Sequence, residues 1–525
     1  MSTAQSASSA DAAPSLDVLP DLIPDASPMS DPSLNSTPAQ DSIRKEYFTS
    51  KADRALQHDL PFRPNITRSI IASQVEDQRK TYDYNRVTIN GILSQELNPT
   101  HAMFNSVPFV PTSGGPCFAN PAQSFWYRST ITQFSDLLED ASYSPTIKAQ
   151  YMDFFNHFVV PALGPIPSVE APWTPHLTHD ASPFEPSWNV NGQEYFTPNH
   201  QIGFTFEPIG PLAGTGEDPF NQLVPAFFVS SLASSNICPN LDLGWWYHFM
   251  IELFVPSGEN QRAYELLSSR DAPPTCFLAF DLPTEDFAPV MKPYLFPQRR
   301  ALLDGKTNTE VLLSAVMKLH SPTMSLLPAV KNIETFLSSS KQDLIETNNK
   351  PSNLECDRDE MSLEMVSFDC IHTSENPRIK LYLKTHNTSF SNIKHIYTFG
   401  GERCSPETGK ALELFKQFWE CLTGLEGEWK SSSEQTASFL YFGLEIAHGR
   451  EIPDVKIYIP AWACGVSDQG VREGLKNFFL ARGWGLGEVY EKMGKGLTHT
   501  YLSLAYDEEK GVNVTMSYSP VMERL

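Results

Sequence analysis

The 525-residue sequence has no CxxC pair, no clustered His and Cys, and no HExxH spacing. Zinc-site, thiol-redox and metalloprotease chemistry are therefore without support. Its eight cysteines are scattered and read as reduced, mostly buried thiols, which points to a cytoplasmic protein. The N-terminus shows neither the basic nor the apolar region of a secretory signal. The best apolar run, Leu223 to Ala233, falls short of the about 20 residues that cross a bilayer. Positive charge is scarce, with 39 Lys and Arg against 62 Asp and Glu and a net charge of -23. Such a chain is a poor general nucleic-acid binder, since neutralising phosphates needs clustered cations. If it binds an anion, it must concentrate its few cations locally.

Residues 1–41 lack Lys and Arg entirely and are rich in Ser, Ala, Pro and Asp. This segment reads as a disordered acidic tail. Residues 42–121 read as an extension of unclear role, with a short helical pattern near Ile43–Gln57. The main domain is expected over 122–525. With 41% hydrophobic and 19% charged residues, it has the material for a large core.

What the sequence does contain is a repeated strand grammar. In Arg378-Ile379-Lys380-Leu381-Tyr382, alternation puts Arg378, Lys380 and Tyr382 on one face. Two cations and a phenol on a buried face call for an anionic partner. The same grammar recurs in Lys292-Pro293-Tyr294 and Lys456-Ile457-Tyr458. One Lys-x-Tyr usually marks a solvated strand face. Three together point to an enclosed site for a polyanion beside something that aromatic faces stabilise.

Along the domain, helices are expected from Phe125-Trp126 onward, from Tyr151 to the stop at Pro161 and Gly164-Pro165, and over Thr309–Leu319, Glu407–Leu422 and Ser467–Leu480. Strands are expected at Glu194–Thr197, Ile202–Glu207, Phe277–Leu282, Val290–Phe296, Ser362–Cys370, Ile379–Lys384, His395–Thr398, Ser438–Ile446, Asp454–Ile459, His499–Tyr506 and Val512–Ser519. Residues 338–360 read as a loop. Helices alternating with groups of strands predict an α+β fold in which antiparallel strands close into a barrel with helices outside.

Several stretches carry a family resemblance when taken in order: Pro161-Ala162-Leu163-Gly164-Pro165, Pro183 to Asn189, Phe204-Thr205-Phe206-Glu207-Pro208-Ile209-Gly210, Ala279-Phe280-Asp281-Leu282, the three cation-x-Tyr strands, and Tyr501-Leu502-Ser503-Leu504. Together they resemble the fungal dimethylallyltryptophan synthase-type aromatic prenyltransferases. That family implies a ten-stranded antiparallel β-barrel ringed by αββα repeats. It also implies prenyl transfer from dimethylallyl diphosphate to an indole-containing acceptor.

By the same resemblance, Lys292, Arg378, Lys380 and Lys456 contact diphosphate, and Tyr294, Tyr382, Tyr458, Tyr501 and Tyr518 shield the prenyl cation. Glu185 accepts a hydrogen bond from the indole N–H. Glu185, Arg378 and Lys380 are the candidate catalytic residues. No cofactor is implied, and no DDxxD motif for Mg²⁺-diphosphate is present. The sequence departs from the family where Gly203 stands in place of an arginine and where Asp507-Glu508-Glu509-Lys510 lacks another. Lys510, Arg299 and Arg300 are the candidate substitutes. Tryptophan C4-prenylating members carry a Lys base near the strand ending Phe280-Asp281-Leu282, where this sequence has Cys276 and Phe277, so a larger indole such as a diketopiperazine or an indole diterpene fits equally well or better. A catalytically impaired barrel that binds an aromatic ligand is the rival expectation.

Overall fold

A computed structural model describes residues 120–520 except 169–170, 236, 268–273, 321–323, 348–360, 424–438, 487–489 and 491–495. The acidic tail, the 42–121 extension up to residue 119, and most of the expected 338–360 loop lie outside the described residues.

Ten strands form one closed antiparallel barrel: β1 (Phe184–Gly192), β2 (Asn199–Phe206), β3 (Cys276–Leu282), β4 (Val290–Leu295), β5 (Ser362–Phe368), β6 (Ile379–Thr385), β7 (Leu440–Ile446), β8 (Asp454–Pro460), β9 (Leu497–Asp507) and β10 (Gly511–Pro520). Each strand pairs with its sequence neighbours, and β10 closes on β1 through Ser187 opposite Ser517 and Asn189 opposite Thr515. Closure gives each of these strands a neighbour on both sides.

The barrel is apolar outside and polar inside. On β6, Ile379, Leu381 and Leu383 are fully buried on the outer face, and Ile457 and Ile459 do the same on β8. An apolar outer wall cannot face water, so helices must cover it. The layer is built from α1 (Pro121–Asp140), α2 (Pro145–Phe154), α3 (Leu223–Ser235), α4 (Gly244–Leu253), α5 (Asn260–Leu267), α6 (Gln298–Asp304), α7 (Asn308–Met317), α8 (Leu327–Thr347), α9 (Phe390–Tyr397), α10 (Pro406–Thr423) and α11 (Asp468–Ala481). Their starts are signalled locally. Asn120 and Ser144 cap α1 and α2 just before a proline, Thr307 and Glu310 form a capping box on α7, and Ser467 caps α11. After α2 the chain passes through a π turn and a 3-10 turn, then breaks at Gly164. There φ is +87° and a Cβ would meet Ile209 at 2.8 Å.

Three expected elements differ. Glu194–Thr197 is a turn, with Tyr195 at φ +65° and exposed, and the first strand lies earlier, over Phe184–Gly192. Pro186 and the run of Ser and Asn had concealed it. His395–Thr398 is the end of α9, whose buried Ile393, Ile396 and Tyr397 follow helical spacing. Helix α8 runs on to Thr347, into the segment expected to be loop.

Candidate active site

Alternation on the ten strands sends the polar positions inward, and the cross-strand register stacks them in layers. Opposite neighbours run Ala279–Lys292, Tyr294–Ser367, Ser367–Lys380, Lys380–Glu445, Tyr382–Gly443 and Gly443–Lys456. Asp369 and Glu445 join Lys292, Arg378 and Lys380 into one cation cluster, with Lys456 near enough to feel the Lys380 and Lys292 charges. On β4, β6 and β8 the tyrosine stands two residues further along the strand than its lysine.

At the cation end most charges are already matched. Lys292 is ion-paired to Asp281 and lies 4.0 Å from Asp369. Arg378 Nε donates to Asp369 at 2.8 Å and its Nη1 lies 3.5 Å from Glu445. Lys380 is 3.4 Å from Glu445. Burial holds Asp369 back from ionising, but the Arg378 and Lys292 cations beside it prevail and lower its pKa. Burial likewise opposes protonation of Lys292, and Asp281 and Asp369 outweigh it.

Lys456 differs. Its Nζ donates to Asn513 Oδ1 at 3.0 Å and Thr515 Oγ1 at 3.1 Å, and among the described residues no carboxylate lies within ion-pair distance. Burial, then the nearby Lys380 and Lys292 charges, bring its pKa down to about 7. Burial and Lys292 also lower Lys380.

Beyond the cations lies an aromatic layer. The Tyr382 ring sits between Tyr294, at 5.7 Å, and Tyr458, at 5.4 Å. Gly443 leaves room there, since a Cβ would meet the Tyr458 ring at 3.1 Å. Tyr501 continues the wall toward Tyr441, 6.4 Å away. Glu185 closes this side. It is 8% exposed, accepts from Thr500 Oγ1 at 2.6 Å, and burial pushes its pKa up to about 7.

The structure thus brings together nine of the ten residues named from the sequence. Tyr518 is not among them. It follows Val512, Val514 and Met516 on the outer face of β10, with its ring 4.9 Å from His499. Strand alternation, which puts Asn513 and Thr515 inside, accounts for this placement.

The proposed arginine substitutes are also elsewhere. Arg299 is buried in the helical layer against Phe220, donating to its carbonyl at 2.9 Å. Arg300 pairs with Asp304 at 2.9 Å, and Lys510 is exposed in the last hairpin. At Gly203 a Cβ would come within 2.9 Å of the Phe280 carbonyl, so the position is filled by backbone.

Sequence reasoning gave no site role to Asp281, Asp369 and Glu445. It also missed Tyr441, Gly443, Thr500, Asn513 and Thr515. Period-two alternation with the cation strands was the available signal for Glu445, Tyr441 and Gly443. Among the described residues no group of three or more His, Cys, Asp or Glu is placed to hold a metal ion.

The family described as tryptophan dimethylallyltransferase matches residues 122–493. A 7-dimethylallyltryptophan synthase of Aspergillus fumigatus is 27% identical over 485 residues, covering 88% of this chain and 97% of that protein. A tryptophan dimethylallyltransferase of Epichloe coenophiala is 27% identical over 379 residues, covering 70% and 79%. The crystal structure of AnaPT from Neosartorya fischeri shares the fold, with a TM-score of 0.63 at 22% identity over 81% of this chain and all of that one. A profile match across most of the chain, on a barrel of the same architecture, makes this chain a member of the tryptophan dimethylallyltransferase family and a prenyltransferase.

Proposed function

We propose that the chain transfers a dimethylallyl group from dimethylallyl diphosphate to an aromatic carbon of an indole-containing metabolite. The acceptor classes that fit are an indole diterpene, a diketopiperazine or a tryptophan derivative. One observation carries the reading: β4, β6 and β8 each deliver a cation and, two residues on, a tyrosine. The cations gather at one end of a closed chamber and the three rings pack side by side in the next layer.

The chemistry follows from that order. Breaking the C–O bond of the donor leaves negative charge on diphosphate, and fixed cations there stabilise the transition state more than the ground state. The allyl cation meets tyrosine faces, each worth about 0.5–2 kcal/mol of cation–π attraction, in a chamber that excludes water. Glu185 accepts the indole N–H and strengthens the ring as nucleophile. The ring carbon bonds to the allyl group and loses its proton to a base.

Lys292, Arg378, Lys380 and Lys456 supply the charge that Mg²⁺ supplies elsewhere, so ionisation proceeds without a metal. The cytoplasm is the fitting compartment, as the six described cysteines are all free thiols.

The test is incubation with dimethylallyl diphosphate and a panel of indoles, with and without EDTA. The expected product is heavier by one prenyl unit in both. Activity lost in EDTA and restored by Mg²⁺ overturns the metal-free step. A second reading, ligand binding without turnover, draws on the backbone-filled Gly203 site and the arginine-free last hairpin. It prevails if indoles bind and no mass gain follows.

A further inference from the structure

We propose that Thr500 is a positioning residue of the transfer reaction, its hydroxyl fixing one oxygen of the Glu185 carboxylate so that the other faces the acceptor's indole N–H. The inference rests on the reading of Glu185 given above.

Simple alternation does not deliver Thr500 to this place. Tyr501 and Ser503 face the chamber on β9, with Ser503 opposite Tyr458 and Thr515. Thr500 would then face the helices. The register between β9 and β10 shifts here: Leu502 lies opposite Met516, and His499 lies opposite Tyr518. Three steps on β9 match two on β10. This is a bulge, and bulges beside active sites re-aim side chains.

Here the bulge leaves Tyr501 beside Tyr441 and turns Thr500 onto Glu185. Immediately before it, His499 is back on the outer face, bonded to Asp468 at 2.7 Å and to Tyr490 at 2.8 Å. The shift thus serves both walls, and on the inner one its product is one hydrogen bond, 2.6 Å long, between two buried side chains.

A threonine hydroxyl has a single proton to donate. It goes to Oε1, and among the described residues no other group donates to this carboxylate. The titratable neighbours are Asp180, from the segment preceding β1, Tyr294 from β4 and Tyr501 from β9, with no cation among them. Burial drives the carboxyl toward its protonated form, Asp180 adds to that, and the Thr500 hydrogen bond opposes it. Losing the hydroxyl frees the carboxylate to rotate and favours the acid, which no longer presents a full negative charge to the indole.

The experiment compares the full-length wild type with Thr500→Val, Thr500→Ser and Glu185→Gln in pH profiles of kcat/KM, using dimethylallyl diphosphate and the best-turned-over indole. Thr500→Val is expected to move the acidic limb up by about one pH unit, an about fivefold loss at pH 7 that recovers in alkali. Thr500→Ser keeps the wild-type limb. If Thr500→Val has no cooperative melting transition, Thr500→Ala replaces it with the same expected limb.

An acidic limb unmoved in the Val or Ala variant overturns the inference, even if the rate falls uniformly. Glu185→Gln separates the two layers of argument. If it abolishes the limb while Thr500→Val leaves it unmoved, Thr500 alone loses its role. If Glu185→Gln keeps both rate and limb, the reading of Glu185 falls and the inference with it.

Discussion

One strand, β6, carries two different kinds of chemistry on its two faces. Outward it presents Ile379, Leu381 and Leu383, all fully buried beneath helices. Inward it presents Lys380, Tyr382 and Lys384, with Arg378 just before the strand, among carboxylates and other rings. The outer face is held by area removed from water, which is non-directional and tolerant of shape-preserving change. The inner face is held by directed ion pairs and hydrogen bonds whose desolvation cost offsets much of their attraction. The contrast teaches that stability belongs to the outer wall and reactivity to the inner one, although adjacent residues build both.

The largest expected effect comes from breaking the outer side. Leu381→Ala should cost about 2–5 kcal/mol of stability through lost burial and a residual cavity. Denaturant midpoints measure it, and turnover per folded molecule should stay near wild type. Its inner neighbour should behave in the opposite way: Lys380→Ala is expected to lower kcat by about 10²–10³, the usual loss for one charge-stabilising group. Its melting temperature should hold or rise, because burial disfavours the charge it removes. Unchanged turnover would take Lys380 out of the mechanism.

Lys456 sharpens the inner side further. Its folded pKa of about 7 lies below the ordinary 10.5 of lysine. A depressed lysine contributes stability above its unfolded value and loses it as pH falls toward the folded one. Lys456→Gln should therefore gain stability relative to wild type on going from pH 10 to pH 7, by about 1 kcal/mol or more. A difference that stays flat over that window would contradict it.

The smallest effect is expected at Tyr518. Among the described residues its buried hydroxyl has no hydrogen-bond partner, so Tyr518→Phe should leave turnover unchanged and stability equal or slightly higher. A large loss of kcat would return Tyr518 to the reacting groups.

Much of this is legible in the sequence. The cation-x-Tyr strands declared both their faces, because alternation is a local property. Tyr518 was legible too: Val512, Val514 and Met516 alternate with Asn513, Thr515 and Ser517, and that period argues against the place its family resemblance implied. The acidic partners were not. Asp281 and Asp369 stand in the same hairpins as Lys292 and Arg378, 11 and 9 residues away, but nothing local marks them as facing those cations, and Glu445 meets Lys380 only through the pairing of β6 with β7. Thr500 was hidden for a different reason. A bulge breaks the period on which strand reading depends, so its inward turn follows from pairing across β9 and β10 and not from the residues alone.

Under the proposed role of the cations, the carboxylates beside them give the catalytic cycle its return stroke. Three of the four cations already have partners in Asp281, Asp369 and Glu445. On that reading an arriving diphosphate trades places with resident anions instead of meeting bare charge. Trades of this kind are shallow in both directions. When the spent diphosphate must leave, the carboxylates are within a side chain's reach to reclaim the cations, and the chamber resets without having to let go of an unopposed trianion.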